Sequence, residues 1–227
     1  MKENNIQARP FLKWAGGKGQ LLEQFQLCFP HELNGEGIIK QYYEPFLGSG
    51  AVFFWVMQNC KIEKAYINEF NPEICLCYVA IQKNVERVIN YLKTLEKKYR
   101  ELDSASQELF YYRARNDYNR TRQSVNFRKY SMKEYSKRTA MTIFLNRTCF
   151  NGLYRVNSKG DFNVPFGRYK NPTICDAQNL RAVGRILKSV IITNDDFAVV
   201  QKQIKQHSFV YFDPPYRPLN KTSSFTS

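Results

Sequence analysis

The sequence predicts an α/β fold: a parallel-sheet core interrupted by a mainly helical, basic insert. Three observations carry this. Residues 37–83 read as strand, glycine turn, helix, strand, acidic tip and helix, a βαβ unit in miniature. Residues 84–138 then contain no glycine or proline and are crowded with long charged side chains and tyrosine. Strand-like runs return only at 189–194 and 208–213.

Taken in order, FLKWAGGKGQLL (11–22) is an apolar entry followed by Gly16, Gly17 and Gly19 around Lys18, a tight turn feeding a helix near Gln20. GIIKQYYEP (37–45) is a strand ended by Pro45, and FLGSG (46–50) turns into the apolar helix AVFFWVMQN. KAYIN (64–68) is a second strand, followed by Glu69, Asn71, Pro72 and a helix to about residue 83. Two or more helices fill 84–138, where Tyr111, Tyr112, Arg113 and Arg115 interleave aromatic and cationic groups, and TAMTIFLNRTCF (139–150) resumes an apolar helical pattern. Gly152, Gly160, Pro165, Gly167 and Pro172 punctuate 151–172, which makes that stretch a loop or hairpin. A short amphipathic helix at 177–188 precedes the strands SVIITN (189–194) and SFVYFD (208–213), giving four or five sheet strands in all.

The 227 residues suffice for one large domain or two modest ones, and 43% hydrophobic with 15% aromatic residues excludes disorder throughout. Net charge is +14, unevenly spread: residues 1–75 carry 7 basic and 8 acidic side chains, 76–138 carry 15 and 7, and 139–227 carry 12 and 5. A near-neutral N-terminal third beside regions of +8 and +7 points to a polyanion-binding surface. No window approaches the apolar length of a membrane span, and the N-terminus has no apolar leader core, so a soluble, cytoplasmic protein is expected. Six cysteines without a CxxC pair and two histidines, His31 and His207, give no zinc site; no metal is expected, and the cysteines read as buried thiols.

Three stretches carry chemistry. FLGSG lets the backbone approach a small polar ligand, although a plain tight turn has the same composition, and it lacks the lysine of a nucleoside-triphosphate loop. Glu69 ends the next strand, where a βαβ nucleoside site places a carboxylate on ribose hydroxyls. In Asp213-Pro214-Pro215-Tyr216 an apolar strand opens into two prolines, so Asp213 is held at the carboxyl end of the sheet. The Asp213 carboxylate and the Pro214 carbonyl can accept the two hydrogens of an exocyclic amine, and Tyr216 can lie against a base.

KWAGGK (13–18), EPFLGSG (44–50), INEFN (67–71), NRTCFNGLYRVNSKGDFNVPFGRYKNP (146–172) and DPPYRPL (213–219), in that order, resemble DNA adenine-N6 methyltransferases of the GATC-specific type over nearly the whole chain. The resemblance implies a Rossmann-like methyltransferase core from 1–75 and 176–227, with a mainly helical target-recognition domain at 76–175 inserted between its halves. The implied cofactor is S-adenosylmethionine: Trp14, Ala15 and Lys18 near its methionine end, Phe46, Gly48 and Gly50 beneath it, Glu69 on the ribose, and Asp196 and Phe197 at the adenine, a surface turn being the competing reading for that last pair. The implied catalytic residues are Asp213, Pro214 and Tyr216, with Asp213 also bordering the cofactor. For DNA, the resemblance implies Arg155 on a guanine edge, Asn151, Leu153, Pro165 and Tyr169 in the same hairpin, Lys13 on the other part of the site, and Phe150 as a wedge or cross-strand filler. Arg113, Arg115, Arg120, Arg122, Arg128 and Lys129 read as phosphate contacts.

An adenine amine in duplex DNA is paired and stacked, so its base must be flipped, at a cost of a few kcal/mol, of which stacking on Tyr216 recovers ~1–3 kcal/mol. Cytosine-C5 chemistry needs a cysteine nucleophile, commonly after proline, and none of the six cysteines follows one. Cytosine-N4 enzymes more often have serine at the Asp213 position; RNA adenine methylation stays open on the tetrad alone, but 146–172 resembles a DNA-reading segment. Relatives continue beyond the tetrad whereas this chain stops at Ser227, so an incomplete sheet is expected, and an inactive DNA-binding remnant or one part of a split enzyme are the alternatives. Double-stranded DNA, a separate C-terminal fragment and a companion restriction endonuclease are the candidate partners.

Overall fold

The computed structural model describes residues 6–14, 18–30, 37–127, 129 and 131–214. Its centre is an all-parallel sheet of Ile38–Glu44 (β1), Lys61–Asn68 (β2), Val190–Thr193 (β3) and Ser208–Val210 (β4), in the order β3-β2-β1-β4. The parallel β1–β2 pair crosses over through Ala51–Asn59 (α2), whose Val52, Phe53, Phe54 and Val56 are buried. This is a Rossmann-like α/β core. Successive strands run outward from β1 through β2 to β3 before β4 returns to the other side of β1. The order therefore reverses between β1 and β4, and a crevice outside the carboxyl ends of those two strands is where such sheets take ligands.

A short 3-10 turn, Lys18–Leu21, runs into Leu22–Gln26 (α1), the helix expected near Gln20. After β2, Asn71 caps Pro72–Arg100 (α3) by accepting the Glu73 amide at 3.0 Å, with Pro72 at the first helical position, where no donor is lost. This helix breaks at Asn84 (φ −158°, ψ 74°), whose side chain accepts the Arg87 amide and caps the second half. The first half thus ends where the sequence placed its end. Ser104–Thr121 (α4), capped by Asp103, and Met132–Thr148 (α5) complete the helical layer, with α3 and α5 packed along much of their lengths. Ala177–Leu187 (α6) and the single-turn Phe197–Gln201 (α7), capped by Asp176 and Asp196, flank β3. The helices bury a continuous aromatic core: Tyr99 and Phe110 both meet Phe144 edge-on at 5.6 Å.

Several expectations are corrected. β2 begins at Lys61, three residues before the KAYIN run, because Ile38 and Ile39 of β1 supply partners for Lys61 and Ile62. β4 is shorter than 208–213: pairing ends at Val210, one more bond joins the Tyr211 amide to the Tyr43 carbonyl, and Pro214 has no amide to offer a ladder. Of the interleaved aromatic and cationic groups, Tyr111 is fully buried, with its hydroxyl donating to the Val164 carbonyl. Cys75, Cys77 and Cys149 are buried thiols, but Cys28 is exposed and Cys60 and Cys175 are half-buried. Among the described residues no helix is long and apolar enough to cross a membrane, and no cluster of histidine, cysteine and acidic residues could hold a metal ion.

Candidate active site

Four loops meet at the carboxyl edge of the sheet, and a buried asparagine joins three of them. Asn68, the last residue of β2, donates to the Pro45 and Asp195 carbonyls at 3.1 and 3.0 Å and accepts from the Thr193 hydroxyl and the Asp195 amide at 2.8 and 2.9 Å. All four bonding positions of its amide are used, so the exits of β1, β2 and β3 are fixed together. The glycine loop after β1 is held from two further sides. Glu69 accepts the Gly48 amide at 2.8 Å through one carboxylate oxygen and the Asn71 amide at 2.9 Å through the other, and the Tyr78 hydroxyl donates to the Gly48 carbonyl. Burial pushes the Glu69 carboxyl above its ordinary value, opposed by the two amide bonds.

Gly48 adopts φ +52°, a backbone that side chains disfavour, and a Cβ there would lie 3.2 Å from the Trp14 indole nitrogen. The loop therefore passes directly under Trp14, which itself stacks on Tyr154 at 5.9 Å and 17°. On the β3 and β4 side, Phe46, Phe197 and Phe212 form a ring cluster with centroids 5.4, 5.7 and 6.4 Å apart. Phe212 is exposed, so the cluster opens an aromatic surface next to the glycine loop, with Asp196 exposed at its edge. Asp213 lies beyond the end of β4 and pairs with the Lys18 ammonium at 3.1 Å, which ties the strand exit to the start of the Lys18–Leu21 turn. Glu44, the last residue of β1, is 3% exposed and accepts the Tyr42 hydroxyl and the Phe53 amide of α2. Burial carries its carboxyl from 4.5 up to about 8; the Tyr42 bond opposes that rise and the nearby Asp213 charge adds to it.

The recognition candidates collect elsewhere. Cys149 bridges Phe166, and Val156 bridges Phe162, so 149–166 closes as a small hairpin. At its root the fully buried Asn146 accepts the Lys13 amide at 2.7 Å and donates to the Lys13 and Gly152 carbonyls. The Lys13 side chain then runs across Gly152, where a Cβ would come within 2.2 Å of it, and ends 4.4 Å from the centre of the Tyr169 ring. Lys13 and Tyr169 thus meet although 156 positions separate them. Asn151 is exposed at φ +54°, Pro165 is exposed with its carbonyl accepting the Phe150 amide, and Leu153 is half-buried against the core. Phe150 is 51% exposed, so its ring is not part of the core. Arg155 is exposed and braced by an Nε–H bond to Asn163 at 2.8 Å.

Arg115 differs from the expectation of a phosphate contact: it donates to the Val164 carbonyl and stacks on Tyr112, supporting the hairpin from beneath. Ala15, Arg128 and Tyr216 lie outside the described residues. Asn68, Asn146 and Glu44 were missed as individuals, although each sits inside a run quoted above; a polar residue embedded in an apolar strand or helix is the signal that could have found them.

The family profile described as D12 class N6 adenine-specific DNA methyltransferase matches residues 14–227. The chain is 49% identical over 222 residues to the Type II methyltransferase M.MjaIII of Methanocaldococcus jannaschii, covering 98% of this chain and 74% of the relative. It is 38% identical over 234 residues to the Type II methyltransferase M1.LlaDCHI of Lactococcus lactis subsp. cremoris (100% and 72% covered). It is 33% identical over 221 residues to the DNA adenine methylase of Haemophilus influenzae (97% and 68% covered). With the parallel sheet, the glycine loop and the Asp213 segment at one edge, these matches establish that the chain belongs to the D12 class of N6 adenine-specific DNA methyltransferases.

Proposed function

We propose that the chain methylates the adenine N6 of GATC in duplex DNA, in the cytoplasm, using S-adenosylmethionine. Residues 1–75 and 176–227 form the catalytic core in this reading, and 76–175 the target-recognition domain. One observation carries it: the glycine loop, Glu69, the Phe46–Phe197–Phe212 cluster and Asp213 converge outside the carboxyl ends of β1 and β4, where the strand order reverses. These residues fit the cofactor chemically. The ring cluster suits a flat purine, the Glu69 carboxylate suits ribose hydroxyls, the glycine loop admits close approach, and the Lys18 ammonium suits the carboxylate of an amino-acid end. When bound, the cofactor supplies a methyl group on a sulfonium.

The chain's own residues orient the acceptor. Asp213 Oδ and the Pro214 carbonyl take the two N6 hydrogens, which turns the nitrogen lone pair toward the methyl group. The Asp213 charge then stabilises the positive charge developing on N6. The Lys18 ammonium, 3.1 Å away, holds that carboxylate at the floor of the crevice. Tyr216 stacks on the flipped base, and Arg155, with Asn151, Leu153, Pro165, Tyr169, Lys13 and Phe150 around it, reads the duplex. GATC is supported by the likeness of 146–172 to the recognition segment of GATC-reading enzymes, and DNA as substrate by the names of the relatives.

The test is single-turnover transfer of labelled methyl to duplexes that differ only in GATC, with the parent chain and with Asp213→Ala. Label in N6-methyladenine of the GATC duplex alone is expected from the parent chain. Asp213→Ala should lose transfer while keeping cofactor and duplex affinity, as follows when the lost interaction belongs to the transition state. Parent-rate transfer by Asp213→Ala would show that the site is misassigned, and equal labelling of both duplexes would remove the GATC assignment.

A further inference from the structure

The outer strand of the hairpin is docked on the C-terminal end of α4 by two side chains one turn apart. Asn119 accepts the Phe162 amide through Oδ1 at 2.9 Å and donates to the Phe162 carbonyl through Nδ2 at 3.0 Å, standing in for a neighbouring strand. Three residues on, Arg122 lies against the hairpin tip. A Cβ on Gly160 would fall 2.8–2.9 Å from the Arg122 guanidinium carbon and both terminal nitrogens, so that group rests flat on the glycine. The same Arg122 is held from behind, its Nε 3.8 Å from Glu73, whose carboxylate is locked by the buried Arg138.

The tip between these contacts is a closed turn: Gly160 donates to the Asn157 carbonyl, while Lys159 and Asp161 donate to the Asn157 side chain. Arg155 stands one position before the Val156–Phe162 bridge, and both its Nε–H and its carbonyl are tied to Asn163, the residue after Phe162. The direction of the Arg155 guanidinium is thus set by the strand that Asn119 and Arg122 hold.

We propose that Asn119 and Arg122 are positioning residues for sequence readout, a bracket that fixes Phe162 and Gly160 so that Arg155 is presented at one angle. This rests on the hairpin being the element that reads the duplex. It assigns Arg122 to the hairpin tip instead of to phosphate. A bidentate contact to a base edge depends on angle as well as distance, so loosening the bracket degrades discrimination more than overall affinity.

The test compares the parent chain with Asn119→Ala and Arg122→Gln in methyl transfer to GATC and to duplexes changed at one base pair, together with cofactor affinity, melting temperature and duplex affinity at two salt concentrations. Both variants should lower the ratio of kcat/KM on GATC to that on the altered duplexes by about tenfold, the discrimination one well-placed base contact supplies. Cofactor affinity and the salt slope should stay at parent values. Arg122→Gln alters a partly exposed side chain and leaves the Glu73–Arg138 pair in place, so it keeps the test open if Asn119→Ala folds poorly. A uniform loss on all duplexes with a shallower salt slope in Arg122→Gln would return that residue to phosphate binding and overturn the bracket. If the parent discriminates and both variants match it, the bracket alone falls; if the parent does not discriminate, the functional reading falls and takes the bracket with it.

Discussion

Glu73→Gln should be among the costliest single changes in this protein, and the cost follows from where its partner lies. Arg138 donates to Glu73 through Nε at 2.8 Å and Nη2 at 2.5 Å, and both side chains are only 4% exposed. The guanidinium also donates to the Tyr118 carbonyl and the Thr121 hydroxyl and lies 3.6 Å from the centre of the Tyr118 ring, so it cannot swing out to water. Glutamine keeps the shape but removes the charge, leaving a buried cation facing an amide. Breaking a buried pair on one side costs about 3–5 kcal/mol. For a domain of this size each kcal/mol lowers the melting temperature by roughly 2–4 °C. The expected fall is therefore on the order of 6–20 °C, measured by calorimetry or circular dichroism.

The control is Glu86→Gln. Arg181 grips Glu86 with the same two-point geometry, at 2.7 and 2.8 Å, but about half of each side chain is exposed. Water and salt screen such a pair, and its loss should cost under about 1 kcal/mol. Adding Arg138→Met to Glu73→Gln should recover part of the loss, because no unpaired charge then remains inside. Equal melting shifts for Glu73→Gln and Glu86→Gln would refute the claim that burial, and not bond geometry, sets the magnitude.

Two further outcomes follow from the site. Glu44 binds its proton more tightly in the folded chain than in the unfolded one, so the stability it contributes is complete below pH 4.5 and is lost as pH rises through about 8. At about 1.4 kcal/mol per pKa unit this is on the order of 4–5 kcal/mol, and urea titrations of Glu44→Gln should show a flatter dependence between pH 5 and 8.5 than the parent; parallel curves would contradict the protonated state. Gly152→Ala sets a Cβ 2.2 Å from the Lys13 side chain at a backbone of φ +62°, so Lys13 must leave the Tyr169 ring. Duplex affinity measured by fluorescence anisotropy should fall severalfold with cofactor affinity unchanged, whereas a parent-like duplex affinity would take Lys13 and Tyr169 out of the interface.

Much of this architecture was legible in the residue order because the signals are local. Pro45 after GIIKQYYE, the FLGSG turn, the Asn71-Pro72 helix start and the proline pair after Asp213 each constrain the backbone where they stand. Even the break in α3 was readable near residue 83, since Asn84 caps the second half with its own side chain. The EPFLGSG and INEFN motifs and Asp213 are segments that the sheet brings to one edge. What local signals did not supply was burial: Tyr111, set among interleaved aromatic and cationic groups, is core, while Arg115, read as a phosphate contact, supports the hairpin.

Residue order by itself thus determined the elements, their parallel winding and the segments that carry chemistry, because backbone preference and hydrophobic period act over a few residues. Only the tertiary structure decided which polar side chains hold those segments in place. Asn68 joins loops 125 or more positions apart, Asn146 ties Lys13 to the hairpin root across 133, and Glu73 meets Arg138 across 65. A buried polar group must find a partner wherever the packed chain supplies one, and no spacing along the sequence encodes which residue that will be.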